Sequence, residues 1–207
     1  MSTDQPGSAA VEAPVAHAST TTNIALIASF AALVAVCSII AIPVAAVPVP
    51  ITLQTFAVLL AGAVLGARRG ALAVLLYLAV GFAGLPIFAQ GVGGPATFGR
   101  PTLGFLLAFP VAAFVVGLLV ERFRARSWVL STGLIAAAGV VGSLVIYAVG
   151  IPVLAARVGL TLQEAAVGNL VFVPFDAVKL ALAAIVAASI HRAFPDLLGT
   201  RREPAAP

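Results

Sequence analysis

Charge is what this sequence has least of. Only 9% of its 207 residues are Asp, Glu, Lys or Arg, whereas 62% are hydrophobic. A soluble domain carries about 25% charged and about 45–50% apolar residues. So few charges do not cover a water-facing surface of this size, and the remaining solvent is lipid. Cysteine is as scarce. Cys37 stands alone, which excludes an intramolecular disulfide, and its place in an apolar run marks it as a small core residue. His17 and His191 lie near opposite ends of the chain, and with one cysteine they make no zinc constellation. No Gly-x-x-x-x-Gly-Lys-Ser/Thr loop is present, so ATP chemistry is not expected in this chain. Neither a metal nor a cofactor is expected. The net charge of +4 does not mark a nucleic-acid binder, because the basic residues are scattered at the ends of apolar runs.

What is present is a series of long apolar runs. A spanning helix needs roughly 20 apolar residues. Six runs qualify or nearly do: 24–42, 51–66, 70–85, 102–120, 128–149 and 170–190. The second is short for a full span. Pro43, Pro48 and Pro50 separate the first two runs, and Gly150 and Pro152 are expected to close the fifth. The runs do not alternate apolar with polar residues, as barrel strands do. Only helices satisfy their own backbone hydrogen bonds in lipid. The expected fold is therefore all-α, a polytopic bundle of six transmembrane helices over residues 23–192. A disordered tail is expected over 1–22, which is polar and Pro/Ala-rich, and a C-terminal tail over 193–207.

The basic residues set the expected orientation. Arg68 and Arg69 follow the second run, Arg122, Arg124 and Arg126 the fourth, and Arg192, Arg201 and Arg202 the sixth. Only Arg100 and Arg157 fall on the other side. Positive residues stay in the cytoplasm, so both termini are expected there, with the loops at 43–50, 86–101 and 150–169 outside. Small residues at four-residue spacing, Gly62/Gly66/Gly70, Ala28/Ala32 and Ala31/Ala35, let helix backbones approach closely. They serve either packing within the chain or docking of a partner.

Asp176 and Lys179 carry the strongest chemical signal. Each costs about 2.5–3.5 kcal/mol at the centre of a span. Their spacing of three puts them on one helix face, about two turns inside the expected outer end of the sixth helix. They form a self-neutralising bridge, or they face a cavity that takes a polar ligand. Gln90 and Arg100 lie in an outward loop rich in glycine, read as a flexible cap. Arg100 is suited to a carboxylate or to interfacial anchoring. Thr52, Gln54 and Thr55 open the second run, where capping is the plain alternative. Asn169 precedes the sixth run and Tyr147 sits near the outer end of the fifth, and either can line a cavity. Paired catalytic aspartates, a Ser/His arrangement and a metal-binding His pair are all missing from the runs, which speaks against an intramembrane enzyme.

Three stretches together resemble the BioY-type biotin-binding components (S components) of energy-coupling factor transporters. They are Pro48-Val-Pro-Ile-Thr-Leu-Gln-Thr-Phe56 with the following Leu-Ala-Gly-Ala-Val-Leu-Gly-Ala-Arg-Arg-Gly70, Gly84-Leu-Pro-Ile-Phe88 with Arg100-Pro-Thr-Leu-Gly-Phe105, and Val173-Pro-Phe-Asp-Ala-Val-Lys179. Where the family often has Gly-Pro-Thr-Gly-Gly-Tyr/Phe, this chain has Arg100-Pro-Thr-Leu-Gly-Phe105. The resemblance implies six helices in the cell (cytoplasmic or inner) membrane, capture of biotin from outside, and a transmembrane coupling subunit with two ATPases as partners. It implies no catalysis by this chain. It also implies that a small-residue face on the first helix, Ala28/Ala32 or Ala31/Ala35, meets the coupling subunit. Sibling components for other vitamins, and a purely structural membrane subunit, are the competing readings.

Overall fold

The computed structural model describes residues 19–43, 48–123, 125 and 127–198. Seven α-helices account for most of them: α1 (Thr20–Ile39), α2 (Gln54–Leu65), α3 (Ala67–Phe82), α4 (Leu103–Arg122), α5 (Trp128–Val158), α6 (Leu162–Asn169) and α7 (Val173–Ala193). Each of the six apolar runs overlaps one helix, α6 is an addition, and Arg68 and Arg69, expected in a loop, fall in the first turn of α3. Four stretches are long and apolar enough to cross a membrane: α1, α4, α5 and the near-continuous 162–193. Their outer faces present large apolar side chains such as Ile24, Val129, Leu144 and Val178, the surface that lipid solvates.

Helix starts follow the side chains that satisfy free backbone N–H groups. Ser19 caps α1 by accepting from Thr22 N, so the helix begins inside the segment expected to be tail. His17 and the rest of residues 1–18 lie outside the described residues, as do 199–207. Thr161 and Glu164 form a reciprocal capping box at the start of α6. The prolines between the first two helices do more than break the chain. They flank a short antiparallel pair, β1 (Ala41–Ile42) and β2 (Ile51–Thr52), which the all-α expectation did not include.

The fifth helix differs most from the sequence reading. It does not stop at Gly150 and Pro152 but continues to Val158, where Gly159 takes a left-handed conformation and caps it. A proline removes one backbone hydrogen bond, yet ending the helix would strip four carbonyls of their partners. Gly150 serves packing, because a Cβ there would strike the ring of Phe105 in α4.

α4 is surrounded by α2, α3 and α5, while α7 packs on α2 and α5 and α1 lies against α2 and α3. Almost every residue of α2 is buried, so this 12-residue helix is sheathed in protein and does not have to match the bilayer thickness. Glycines make that packing possible. A Cβ on Gly62 would lie 2.3 Å from Ala113 O of α4, and one on Gly117 would lie 2.3 Å from Ala67 N of α3. Gly66, at φ +82°, joins α2 to α3 in one residue. The row Gly62/Gly66/Gly70 thus packs within the chain. The alanines of α1 divide: Ala31 is buried and Ala35 packs partly on the core, whereas Ala28 and Ala32 are exposed.

Candidate functional site

An open-mouthed cavity lies where the first turns of α2, α4 and α7 converge, below β2 and the loop between α3 and α4. The arginines at the far ends of α4 and α7, Arg122 and Arg192, mark the opposite end of the bundle. The cavity holds about 700 Å³ of empty space counted to its open mouth, but the centre of a water molecule has only about 70 Å³ in which to move. It is therefore narrow along much of its length.

Asp176 and Lys179 sit on its wall. Lys179 Nζ donates to Asp176 Oδ1 at 2.8 Å and to Thr55 Oγ1 at 3.4 Å. Thr55 Oγ1 in turn donates to Asp176 Oδ1 at 3.1 Å, and Tyr147 OH donates to Oδ2. Three helices, α2, α5 and α7, thus meet at one carboxylate. Asp176 falls in the first turn of α7, nearer the helix start than the sequence implied, since α7 begins at Val173 and Leu170–Phe172 form a 3-10 turn. The pair is buried, with side-chain exposures of 9% for Lys179 and 15% for Asp176.

Counting donors and acceptors shows what the network leaves over. A carboxylate has about four lone-pair positions and an ammonium has three protons. Three positions of Asp176 and two protons of Lys179 are engaged. One acceptor position on Asp176 Oδ2 and one N–H of Lys179 remain, on two residues that line the cavity. A ligand carrying an N–H next to a C=O matches that pair.

Six of the eight residues expected to bind ligand line this cavity: Asp176, Lys179, Arg100, Gln54, Thr52 and Tyr147. Gln90 does not line it but accepts from Arg100 Nη1 at 3.0 Å, with its backbone held at φ 65°. Asn169 does not line it either, and its Oδ1 is buried without a partner among the described residues. The residue is buried, and its Nδ2 donates to Ala165 O at 2.8 Å within α6. The two helices that flank it, α6 and α7, meet through the 3-10 turn, which buries the asparagine against its own helix. The glycine loop is more ordered than a loose cap. It makes two 3-10 turns, Ala89–Gly91 and Pro95–Gly99. Phe88 lies on α3 at Gly81, edge-on to Tyr77, with ring centroids 5.3 Å apart.

Thr97, Thr55 and Tyr77 also belong to the site region. Thr97 lines the cavity at 1% exposure, and its Oγ1 is one of two buried side-chain oxygens without a partner among the described residues. A lone threonine in a Gly-rich loop gives no sequence signal.

The comparisons with known proteins agree with this architecture. A family model described as the BioY family matches residues 10–196. This chain belongs to the BioY family. Among the relatives of this BioY-family chain is the "Biotin transporter BioY" of Rhizobium etli, 40% identical over 179 residues, which cover 84% of this chain and 96% of the relative. The protein of the same name from Rhodobacter capsulatus is 42% identical, with 86% and 98% covered. A solved structure described as the S-component for biotin from an ECF-type ABC transporter superposes with a TM-score of 0.75. It is 26% identical and covers 83% of this chain and 92% of that one. This BioY-family chain is a membrane protein of several apolar helices.

Proposed function

We propose that this chain is the substrate-binding component of a biotin uptake transporter of the cytoplasmic or inner membrane. It captures biotin on the outer side and passes it inward with an ATP-driven coupling module. The observation that carries the reading is the unfilled donor of Lys179 and the unfilled acceptor of Asp176 on the cavity wall. Biotin presents a matching edge, the N–H and C=O of its ureido ring. Lys179 donates to the ureido oxygen and Asp176 Oδ2 accepts from one ureido N–H. Phe105, Phe109 and Ile146 give the fused rings an apolar wall. Arg100, at the cavity mouth and with donors left beyond its bond to Gln90, takes the carboxylate. Thr97 Oγ1 supplies a further polar contact.

ATP hydrolysis belongs to partner subunits, a transmembrane coupling subunit with two ATPases. Of the two alanine pairs, Ala28/Ala32 is the face offered to them, because it is exposed and Ala31/Ala35 is not. The test is calorimetric titration of the purified chain, without ATP, against biotin, thiamine and riboflavin. Heat with biotin alone is expected. Silence with biotin and heat with either other vitamin would reassign the ligand within the same class of protein.

A further inference from the structure

A second cavity lies at the opposite end of the bundle from Asp176 and Lys179. The last turns of α4 and α7, the first turns of α5 and the 3-10 turn Pro195–Leu198 enclose it. It holds about 980 Å³ of empty space counted to its open mouth. The centre of a water molecule has about 370 Å³ there in which to move, against about 70 Å³ beside Asp176. The floor is apolar and buried, made by Val120, Ile135 and Ala188. The rim is mixed. Phe123 and Trp128 are 55% and 40% exposed, Arg192 is exposed beside them, and Ser127 and Ser131 add hydroxyls.

Two features name the chemistry of an occupant. The first is unspent positive charge. Arg192 has no hydrogen bond or ion pair with a described residue. No carboxylate lines the cavity to meet it. Glu121 is turned elsewhere, accepting from Ala67 N at the start of α3, and Asp196 is exposed outside the lining. His191 has its Nε2 3.4 Å from Val64 O of α2, so it serves as wall and Arg192 as the charge. In the sequence, Arg124 and Arg126 flank the lining residue Ala125, and Arg201 and Arg202 follow Leu198. The last two arginines also disfavour the chain's own end as the occupant, since like charges repel. The second feature is depth. Tryptophan and arginine at the end of a spanning bundle lie at headgroup level. An occupant there has to be anionic on one side and apolar on the other.

We propose that this cavity binds one anionic phospholipid, with Arg192 on the phosphate and the acyl chains leaving past Phe123 and Trp128. Basic cavities between helices on the cytoplasmic side suit such headgroups. The site is independent of the biotin reading, because it shares no residue with the ligand cavity.

Trp128 is the sole tryptophan, so its fluorescence reports occupancy. The full-length chain is placed in phosphatidylcholine nanodiscs that contain increasing shares of acyl-brominated phosphatidylglycerol or, for comparison, acyl-brominated phosphatidylcholine. Phosphatidylglycerol is expected to quench half-maximally at a share about fivefold lower, the weight of one basic side chain on an anionic headgroup. Arg192→Gln should remove that preference. Arg68→Gln, which takes one exposed charge from the same end but outside the cavity, should keep it. Ser131→Phe plugs the cavity without changing charge and should also remove the preference, with thermal melts showing that each variant folds. Equal quenching by the two brominated lipids in wild type would overturn the proposal. So would equal loss in Arg192→Gln and Arg68→Gln, which would show diffuse attraction to an arginine-rich end. Relief of the quenching by soluble glycerol phosphate or inorganic phosphate would overturn the lipid assignment in favour of a free anion.

Discussion

Lys179 is the sole lysine of the chain, and it is buried. A lysine in that place needs a partner, and Asp176 supplies it one turn away. Because Thr55 and Tyr147 also bind the carboxylate, removing either charge strands several groups at once. Asp176→Asn and Lys179→Met are each expected to weaken biotin binding strongly in calorimetric titration. Breaking a buried pair costs about 3–5 kcal/mol, and a charge-assisted hydrogen bond is worth about 1.5–3 kcal/mol. The double variant separates structure from function. With both charges gone, stability in a thermal melt should recover relative to the single variants, while biotin binding should not. A folded double variant that binds biotin as tightly as the parent would remove both residues from the site. Asp176, Lys179 and Arg100 were legible in the sequence because ionisable groups are rare and costly in apolar runs. Thr97 and Tyr77 carried no such signal, because what places them near the cavity is contact between distant segments: Tyr77 meets Gln54 across 23 residues. Asn169 does not line the cavity; its Nδ2 bonds within its own helix and its buried Oδ1 has no partner among the described residues.

Among the helices, the positions were readable but the ends were not. Apolar length located all six long helices. Pro152 was read as a stop because in water an interrupted helix finds other donors, which lipid does not offer. The short β pair and α6 depend on local capping and on contacts between loops, to which hydropathy is blind. Glycine content likewise did not say which glycines matter. The structure separates two of them. Gly62 sits against the Ala113 backbone, so Gly62→Leu must force α2 from α4. It is expected to cost at least about 1–3 kcal/mol and to lower the melting temperature or abolish folding. Gly133 in α5 has open space around its missing Cβ. Gly133→Ala is expected to leave binding unchanged and to stabilise by about 0.5–1 kcal/mol through helix propensity. Paired thermal melts in one detergent check both, and equal effects would contradict the packing described.

For the whole molecule, sidedness and docking are the testable properties. The arrangement of arginines predicts a cavity mouth outside and the arginine-bearing helix ends inside. In a Cys37→Ser background, an impermeant thiol reagent added to intact cells should label cysteines placed at positions 92 and 160 and leave one at 124 unlabelled. Labelling at 124 from outside would invert the topology. Docking has a separate signature. Ala32→Trp puts a bulky ring on the exposed face of α1, far in the chain from the cavity residues. It is expected to leave biotin affinity within about twofold of wild type and to reduce uptake by cells to near background. Such a split between binding and uptake assigns that face to the coupling subunit, whereas equal loss of both would not.

The open mouth of the cavity has a consequence in time. Its lining is already assembled, with the Phe88 and Ile87 segment held on α3 and α1 by ring packing and the Ser38 hydrogen bond. A site that stands open and assembled requires no separate opening step before a small molecule enters. The observed association rate should then rise in proportion to biotin concentration in stopped-flow measurements, whereas an early plateau would reveal a slower rearrangement that limits entry.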